Sequence, residues 1–308
     1  MKCLVTGGAG FIGTNLVNLL LKNGHEVLIL DDLRNRFLNS EHVVNENLIK
    51  VDLLNHLNDW KKYFKGVDVV YHLAANADIR SGWKHPRTDL EQNLLVTINV
   101  LEASVEFNVK DFVFTSTGSV YGNTSQIPTL ENSSFPIQTS LYSAAKLSSE
   151  AFISAFCEAN KIRGTVFRLV STLGQGYSHG HIFDFYQQLF KNPRKLKVLG
   201  NGHQKKSYIN VKDCVKGLTE IRGRNNYEIF NLGTNEFCSV RQSISWILDE
   251  LKVDPQIEFG DEKQGWIGDN PFIWLNIDKS KATGWSPQFS IEESVRETVN
   301  WLKMNRKI

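Results

Sequence analysis

The glycines at positions 7, 10 and 13 constrain this chain more than any other feature. They lie in Gly7-Gly8-Ala9-Gly10-Phe11-Ile12-Gly13, between an apolar run, Cys3-Leu4-Val5, and an apolar-periodic stretch carrying Leu16, Leu19 and Leu20. The order predicted is strand, tight turn, helix. Such a unit sets a dinucleotide pyrophosphate on a helix N-terminus: the glycines admit close backbone approach and the first-turn N–H groups face the phosphates. A glycine cluster alone usually marks an ordinary turn. Here, however, Asp31 ends the next apolar run, Val27-Leu28-Ile29-Leu30. It lies about 20 residues downstream, where a carboxylate meets a ribose hydroxyl. Together they predict a dinucleotide site.

Composition sets the boundaries. The chain has 308 residues, 41% hydrophobic and 22% charged, with a net charge of +2. Those are the proportions of a globular enzyme, and they give no electrostatic case for nucleic acid or membrane binding. No apolar run approaches the roughly 18 residues of a membrane span, and Met1-Lys2 leads directly into the first strand. The reading is a cytoplasmic protein without a leader. Cys3, Cys157, Cys214 and Cys238 are scattered without metal-ligand spacing, so reduced thiols and no metal are expected.

Short apolar runs alternate with helical patterns through the first half. Strands are predicted at 2–6, 26–31, 48–51, 67–73, 111–116 and 164–169. A long helix over about 86–107 carries an apolar stripe of Leu90, Leu94, Ile98 and Leu101, and a second begins near Leu141 with Tyr142, Ala145, Lys146 and Phe152. The fold class is α/β: a doubly wound parallel Rossmann sheet over residues 1–172, with strand contributions from later residues. After about residue 172 the texture turns to short Gly-, Asn-, Pro- and Trp-rich segments. Residues 173–308 are expected to form a smaller α/β lobe over the C-terminal strand ends, where open α/β sheets bind ligands. No low-complexity linker separates the halves, so they are expected to pack together.

Tyr142-Ser143-Ala144-Ala145-Lys146 places a phenol and an ammonium one helical turn apart on one face. A nearby cation favours the phenolate, and hence a base at neutral pH. The spacing alone is common. Its weight comes from following Phe112-Val113-Phe114-Thr115-Ser116-Thr117, whose hydroxyls fall at a strand end.

These motifs, in this order, resemble the extended short-chain dehydrogenases. The resemblance also uses His72-Leu73-Ala74-Ala75, Asn93, Gly118-Ser119-Val120-Tyr121-Gly122, Gly200-Asn201-Gly202-His203-Gln204-Lys205-Lys206-Ser207-Tyr208, Asn231-Leu232-Gly233 and Gly265-Trp266-Ile267-Gly268-Asp269. More narrowly, the chain is similar to the nucleotide-sugar epimerase/dehydratase family, most of all to UDP-glucose 4-epimerases, essentially end to end. The resemblance implies Thr117 bonding the reacting sugar hydroxyl and Tyr142 as general base. It implies Lys146 holding the nicotinamide ribose and lowering the phenol's pKa. It further implies NAD contacts from Gly7, Gly10, Phe11, Ile12, Gly13, Asp31, Asp52, Leu53, Leu73, Ala74, Ala75, Asn76, Asn93, Tyr142, Lys146 and Val170. His72 has a structural place in that pattern. Asp31 disfavours a 2′-phosphate and so favours NAD over NADP, although Arg34 and Arg36 lie close by.

Departures bear on the substrate. Ser171 stands where the family usually has Asn, Lys206 where it has Arg, and Trp266 where many members carry the Arg that clamps the pyrophosphate. An ammonium neutralises a phosphate but cannot grip it bidentately. Substrate contacts are expected from Thr117, Ser171, His203, Lys205, Lys206 and Trp266, with a solvated basic turn as the alternative for 203–206. The segment Gly174 to His181, with Gly176, Tyr177 and Gly180, is expected to close on the substrate. The resemblance implies C4 epimerisation of a UDP-hexose through a 4-keto sugar. It leaves open epimerisation at another carbon, uronate decarboxylation, 4-keto reduction and, from another class, a non-catalytic NAD sensor. A 4,6-dehydratase would show Asp-Glu after Thr117, where this chain has Gly118-Ser119. A homodimer is expected through helices at about 87–107 and 142–160.

Overall fold

In the computed structural model, residues 1–34, 47–55, 60–80, 82–124, 126–133, 137–262 and 272–305 are described. The first half runs β1 (Lys2–Thr6), α1 (Phe11–Lys22), β2 (Glu26–Asp31), β3 (Leu48–Lys50), β4 (Val69–His72), α2 (Pro86–Asp89), a π-helical turn (Leu90–Leu95), α3 (Val96–Glu106), β5 (Asp111–Thr117), α4 (Leu141–Asn160) and β6 (Arg163–Leu169). The second half adds β7 (Ser171–Leu173), α5 (His181–Lys191), β8 (Lys195–Val198), β9 (Lys205–Lys206), β10 (Tyr208–Asn210), α6 (Val211–Glu220) and β11 (Tyr227–Leu232). It ends with β12 (Cys238–Ser239), α7 (Val240–Leu251), β13 (Gln256–Phe259), β14 (Phe272–Ile273), α8 (Asp278–Lys281) and α9 (Ile291–Asn305).

Seven strands form one sheet in the order β11-β6-β5-β4-β1-β2-β3. Every pairing in it is parallel. A sheet buried on both faces needs continuous apolar strands, and Cys3-Leu4-Val5 supplies them. Cys3 and Val5 join the core beneath α1 and α6, with Val27, Ile29, Tyr71 and Phe167. Leu4 faces the opposite layer, with Leu30, Val70, Phe112, Val100 of α3 and Ile153 of α4. The strand order reverses between β1 and β4, which opens a crevice at their C-terminal ends.

The chain crosses between the layers more than once. β11 closes the sheet edge, and Val211, Cys214 and Leu218 of α6 pack in the core under α1. The remaining second-half elements build a lobe of their own around Leu173, Ile182, Tyr186, Leu196, Ile244, Val295 and Val299. Phe11, the first residue of α1, packs against both cores. The two halves are therefore seated on each other through the glycine turn. No described helix is long and apolar enough to cross a membrane.

One expectation needs correction. Leu90, Leu94, Ile98 and Leu101 do not form a single buried stripe: Leu90 is 44% exposed, whereas Leu101 is fully buried. The π-helical turn shifts the helical phase between them. The face buried at the front of this helix is polar instead: Asp89, Asn93 and Thr97.

Candidate active site

The glycine turn is a cradle that excludes side chains. Gly7 has φ +70°, and a Cβ there would lie 2.7 Å from Ala74 N. At Gly13 a Cβ would collide with the carbonyl oxygen of Gly7. Helix and turn can approach this closely only with hydrogen at both positions, which leaves the α1 N-terminus bare for a phosphate. Gly10 N donates to Gly7 O at 3.2 Å and closes the turn.

Asp31 braces the turn from β2. Its Oδ2 accepts from Ala9 N at 2.9 Å and its Oδ1 from Leu33 N at 2.8 Å. Burial raises its pKa, and the two N–H groups oppose the rise. Arg34 is engaged by acids: its Nε lies 2.6 Å from Asp32 and its Nη2 3.5 Å from Asp52. That arrangement leaves a carboxylate-rich edge, which suits a ribose diol rather than a 2′-phosphate. Arg36 lies outside the described residues. Asp52 caps Leu54 N at 3.0 Å, and Leu53 O receives the Asn99 amide at 2.8 Å.

Across the crevice, Leu73 to Asn76 leaves β4. Ala74 N donates to Thr6 Oγ1 at 3.3 Å, and Asn76 N to Asn93 Oδ1 at 2.8 Å. Asn93 sits in the π-helical turn, and its carbonyl accepts from Thr97 Oγ1 at 2.6 Å and from Ser149 Oγ of α4 at 2.9 Å. The imidazole of His72 bridges Thr6 Oγ1 and Thr97 Oγ1 at 2.7 and 2.9 Å. Full burial drops its pKa to about 3, so it is a neutral link between β1 and α3.

The expected reactive groups lie on β5 and α4. Thr117 ends β5, where its Oγ1 accepts from Ser119 N at 3.1 Å. Ser140 caps α4 by accepting from Ser143 N at 3.1 Å, which sets Tyr142 and Lys146 on the first two turns. Lys146 is 2% exposed. Its Nζ donates to Thr115 O at 3.0 Å and lies 4.5 Å over the Phe114 ring. Burial lowers the Lys146 pKa to about 7, while Glu150, one turn on, works to raise it. Glu150 is itself gripped by Arg168 at 2.7 Å and receives Ser116 Oγ. Tyr142 lies in the first turn of α4, and its pKa is raised, first by burial and then by the charge of Asp89. The lowering expected from Lys146 does not arise in the chain alone: the charge that bears on the phenol is that of Asp89.

The expected sugar-side residues do not form one cluster. Val170 is buried, its N–H bound to Leu232 O at 3.1 Å, and Ser171 opens β7 with its side chain exposed. Lys205 and Lys206 are consecutive on β9 and so point to opposite faces. Lys205 Nζ lies 5.1 Å from the Phe237 ring and 5.7 Å from Phe272. Lys206 instead faces His181, where its charge helps burial hold that imidazole neutral, with a pKa near 3. His203 is exposed in the preceding turn. Trp266 lies outside the described residues. The 174–181 segment packs on the glycine turn: Tyr177 meets Phe11 edge-on at 5.9 Å, and Asn15 Nδ2 donates to Gln175 O at 2.9 Å.

Sequence reading missed Asp89 and the Glu150–Arg168 pair. The signal for the first was present: Asp89, Asn93 and Thr97 recur every four residues, one helical face of polar groups.

Residues 3–233 match the model of the NAD dependent epimerase/dehydratase family. A crystal structure of UDP-galactose 4-epimerase superposes with a TM-score of 0.86 at 31% identity, covering 99% of both chains. UDP-glucuronic acid 4-epimerase from Bacillus cereus, in complex with UDP-glucuronic acid and NAD, gives 0.88 at 27% identity over 99% of both chains. UDP-N-acetylglucosamine 4-epimerase from Methanobrevibacter ruminantium, in complex with UDP-N-acetylmuramic acid, gives 0.89 at 27% identity, again over 99% of both chains.

Proposed function

Because the chain belongs to the NAD-dependent epimerase/dehydratase family and is an NAD-dependent epimerase of nucleotide sugars, we propose that its reaction is inversion at C4 of a UDP-hexose. One observation carries this reading: Lys146 of α4, one turn after Tyr142, reaches the end of β5 that carries Thr117, its Nζ donating to Thr115 O at 3.0 Å. Three solved relatives named as UDP-sugar 4-epimerases support the choice of nucleotide and carbon.

The residues that would hold NAD are Gly7 to Gly13 at the pyrophosphate, Asp31 at the adenosine ribose, Asp52 and Leu53 at the adenine, and Leu73 to Asn76, Asn93, Lys146 and Val170 along the crevice. Bound there, NAD⁺ would supply a hydride acceptor that returns the same hydride within one turnover. Tyr142 Oη takes the proton of the C4 hydroxyl and gives it back, a general base and then a general acid. Thr117 Oγ1 orients that hydroxyl. Burial and Asp89 keep the phenol protonated in the chain alone, and Lys146, one turn away, would hold the nicotinamide ribose. Between the two transfers the 4-keto sugar must turn over in the cleft. Lys206, Ser171, His203, Lys205 and Trp266 are the proposed contacts to the rest of the substrate, with Lys206 best placed for a phosphate.

Gly118-Ser119 after Thr117 argues against a 4,6-dehydratase, and the engaged Arg34 argues against a reductase that exchanges NADP(H). Leu90, Leu95 and Phe152 are exposed on the helices around α3 and α4, and we read them as the seam of a homodimer. The four cysteines are buried and free, in keeping with a cytoplasmic enzyme. The test is NMR of the purified protein with UDP-, GDP- and CDP-sugars and no added NAD. Appearance of the C4 epimer of a UDP-sugar, abolished in Tyr142→Phe, is the expected result. No conversion, or a stable 4-keto or decarboxylated product, overturns the reading.

A further inference from the structure

One buried carboxylate beside the site has no part in that chemistry. Asp89 ends α2 and is 1% exposed. Its Oδ1 accepts from Asn76 Nδ2 and from Asn93 Nδ2, both at 3.0 Å. Its Oδ2 is buried and has no hydrogen-bond partner among the described residues. That oxygen lies against Gly82, where a Cβ would stand 2.7 Å from it and 3.6 Å from the Cβ of Leu141. Leu141 is the residue before Tyr142. A glycine at 82 is therefore what leaves room for the carboxylate at the start of α4.

The surrounding charges do not cancel it. Burial raises the pKa of Asp89, the Asn76 amide opposes the rise, and the charge of Asp78, in the loop before α2, adds to it. On α4 itself, Lys146 is bound to Thr115 O, and Glu150 is committed to Arg168 of β6. The π-helical turn presents the neutral Asn93, and the end of β5 presents the hydroxyls of Thr115, Ser116 and Thr117. A fixed charge in a poorly solvated setting acts strongly on a neighbouring ionisation.

We propose that Asp89 is a positioning residue for Tyr142: its carboxylate, clamped by Asn76 and Asn93 and admitted by Gly82, keeps the phenol protonated until positive charge enters the site. The consequence for rate rests on Tyr142 being the base, as read above. The electrostatic effect on the phenol does not. Asp89→Asn is the informative change, because its Oδ1 still accepts from both amides while the charge is lost and an amide NH2 replaces the unpartnered Oδ2.

The experiment follows the ¹³Cζ resonances of tyrosine-labelled protein, as purified, through a pH titration, with Tyr142 identified by its loss in Tyr142→Phe. In Asp89→Asn the Tyr142 midpoint should fall by roughly half a unit to one unit. The acidic limb of the kcat profile should move the same way, with KM for the UDP-sugar unchanged. If Asp89→Asn does not fold, Asp89→Ser removes the same charge and carries the same expectation. An unshifted midpoint in a folded variant, with activity lowered equally at every pH, overturns the proposal and leaves Asp89 a structural clamp. A shifted midpoint in a protein whose Tyr142→Phe variant stays fully active upholds the effect of Asp89 while removing Tyr142 as the base.

Discussion

The proposed cofactor crevice and the proposed sugar side of this molecule are built by different means. Around β1, β2 and β4 the site is made of backbone: positions where no Cβ fits, N–H groups aimed by a turn, and a carboxylate pinned by two amides. On the sugar side it is made of side chains carried by strands of two or three residues, β7, β9 and β14. A backbone site tolerates almost no substitution and holds one ligand shape. A side-chain site can be re-specified residue by residue.

The largest effect should come from the crevice. In Gly13→Ala the new methyl meets the Gly7 carbonyl, so helix and turn must separate. We expect a loss of about 3 kcal/mol or more in stability and protein that purifies without nucleotide, read by denaturant unfolding and by absorbance of the released cofactor. A variant that keeps NAD would break the contrast drawn above. On the sugar side, Lys206→Ala should raise KM for the UDP-sugar by roughly tenfold, the loss of one charge-assisted contact, with NAD retained. Lys205→Ala, on the opposite face of β9, should raise KM by a smaller factor. Equal effects from the two would mean that the alternation along β9 does not separate them in the complex.

A pH experiment sharpens the same contrast within α4. Lys146 has a folded pKa of about 7, against roughly 10.4 in an unfolded chain. Below about 7 both states hold the proton. Between these values the unfolded chain still holds a proton that the folded chain has released, so stability of the nucleotide-free protein should rise with pH across that window. The contribution is full above the upper value and lost as pH falls to the lower. Lys146→Met should flatten the rise, as followed by urea unfolding at successive pH values. The smallest effect belongs to Arg34→Ala. Its exposed pairs with Asp32 and Asp52 should contribute less than about 1 kcal/mol, and NAD should remain preferred over NADP.

The same contrast explains what could be read without coordinates. The glycine turn, Asp31 and the central strands were legible because steric exclusion and parallel-sheet burial each leave a mark in sequence. All six predicted strands fall on observed ones, within two residues at each end. Thr117, Tyr142 and Lys146 were legible as a pattern, but their electrostatics were not. The phenol's pKa is raised first by burial and then by the charge of Asp89, which bears on it from α2, while the carbonyl of Thr115 holds the Lys146 amine. Leu90, Leu94 and Ile98 masked the polar face that α2, the π-helical turn and α3 turn inward. Lys205 and Lys206 read as one basic patch until a two-residue strand sent them apart. Short strands in irregular segments carry too few residues to show a period.

The central claim is that hydride leaves C4 of the sugar and returns to it within one closed cycle. It is tested most directly by giving the purified protein UDP-glucose deuterated at C4, with no added NAD, and following the product by NMR. The account predicts UDP-galactose that keeps its deuterium at C4. Washout of the label, deuterium at another carbon, or no epimer at all would contradict it.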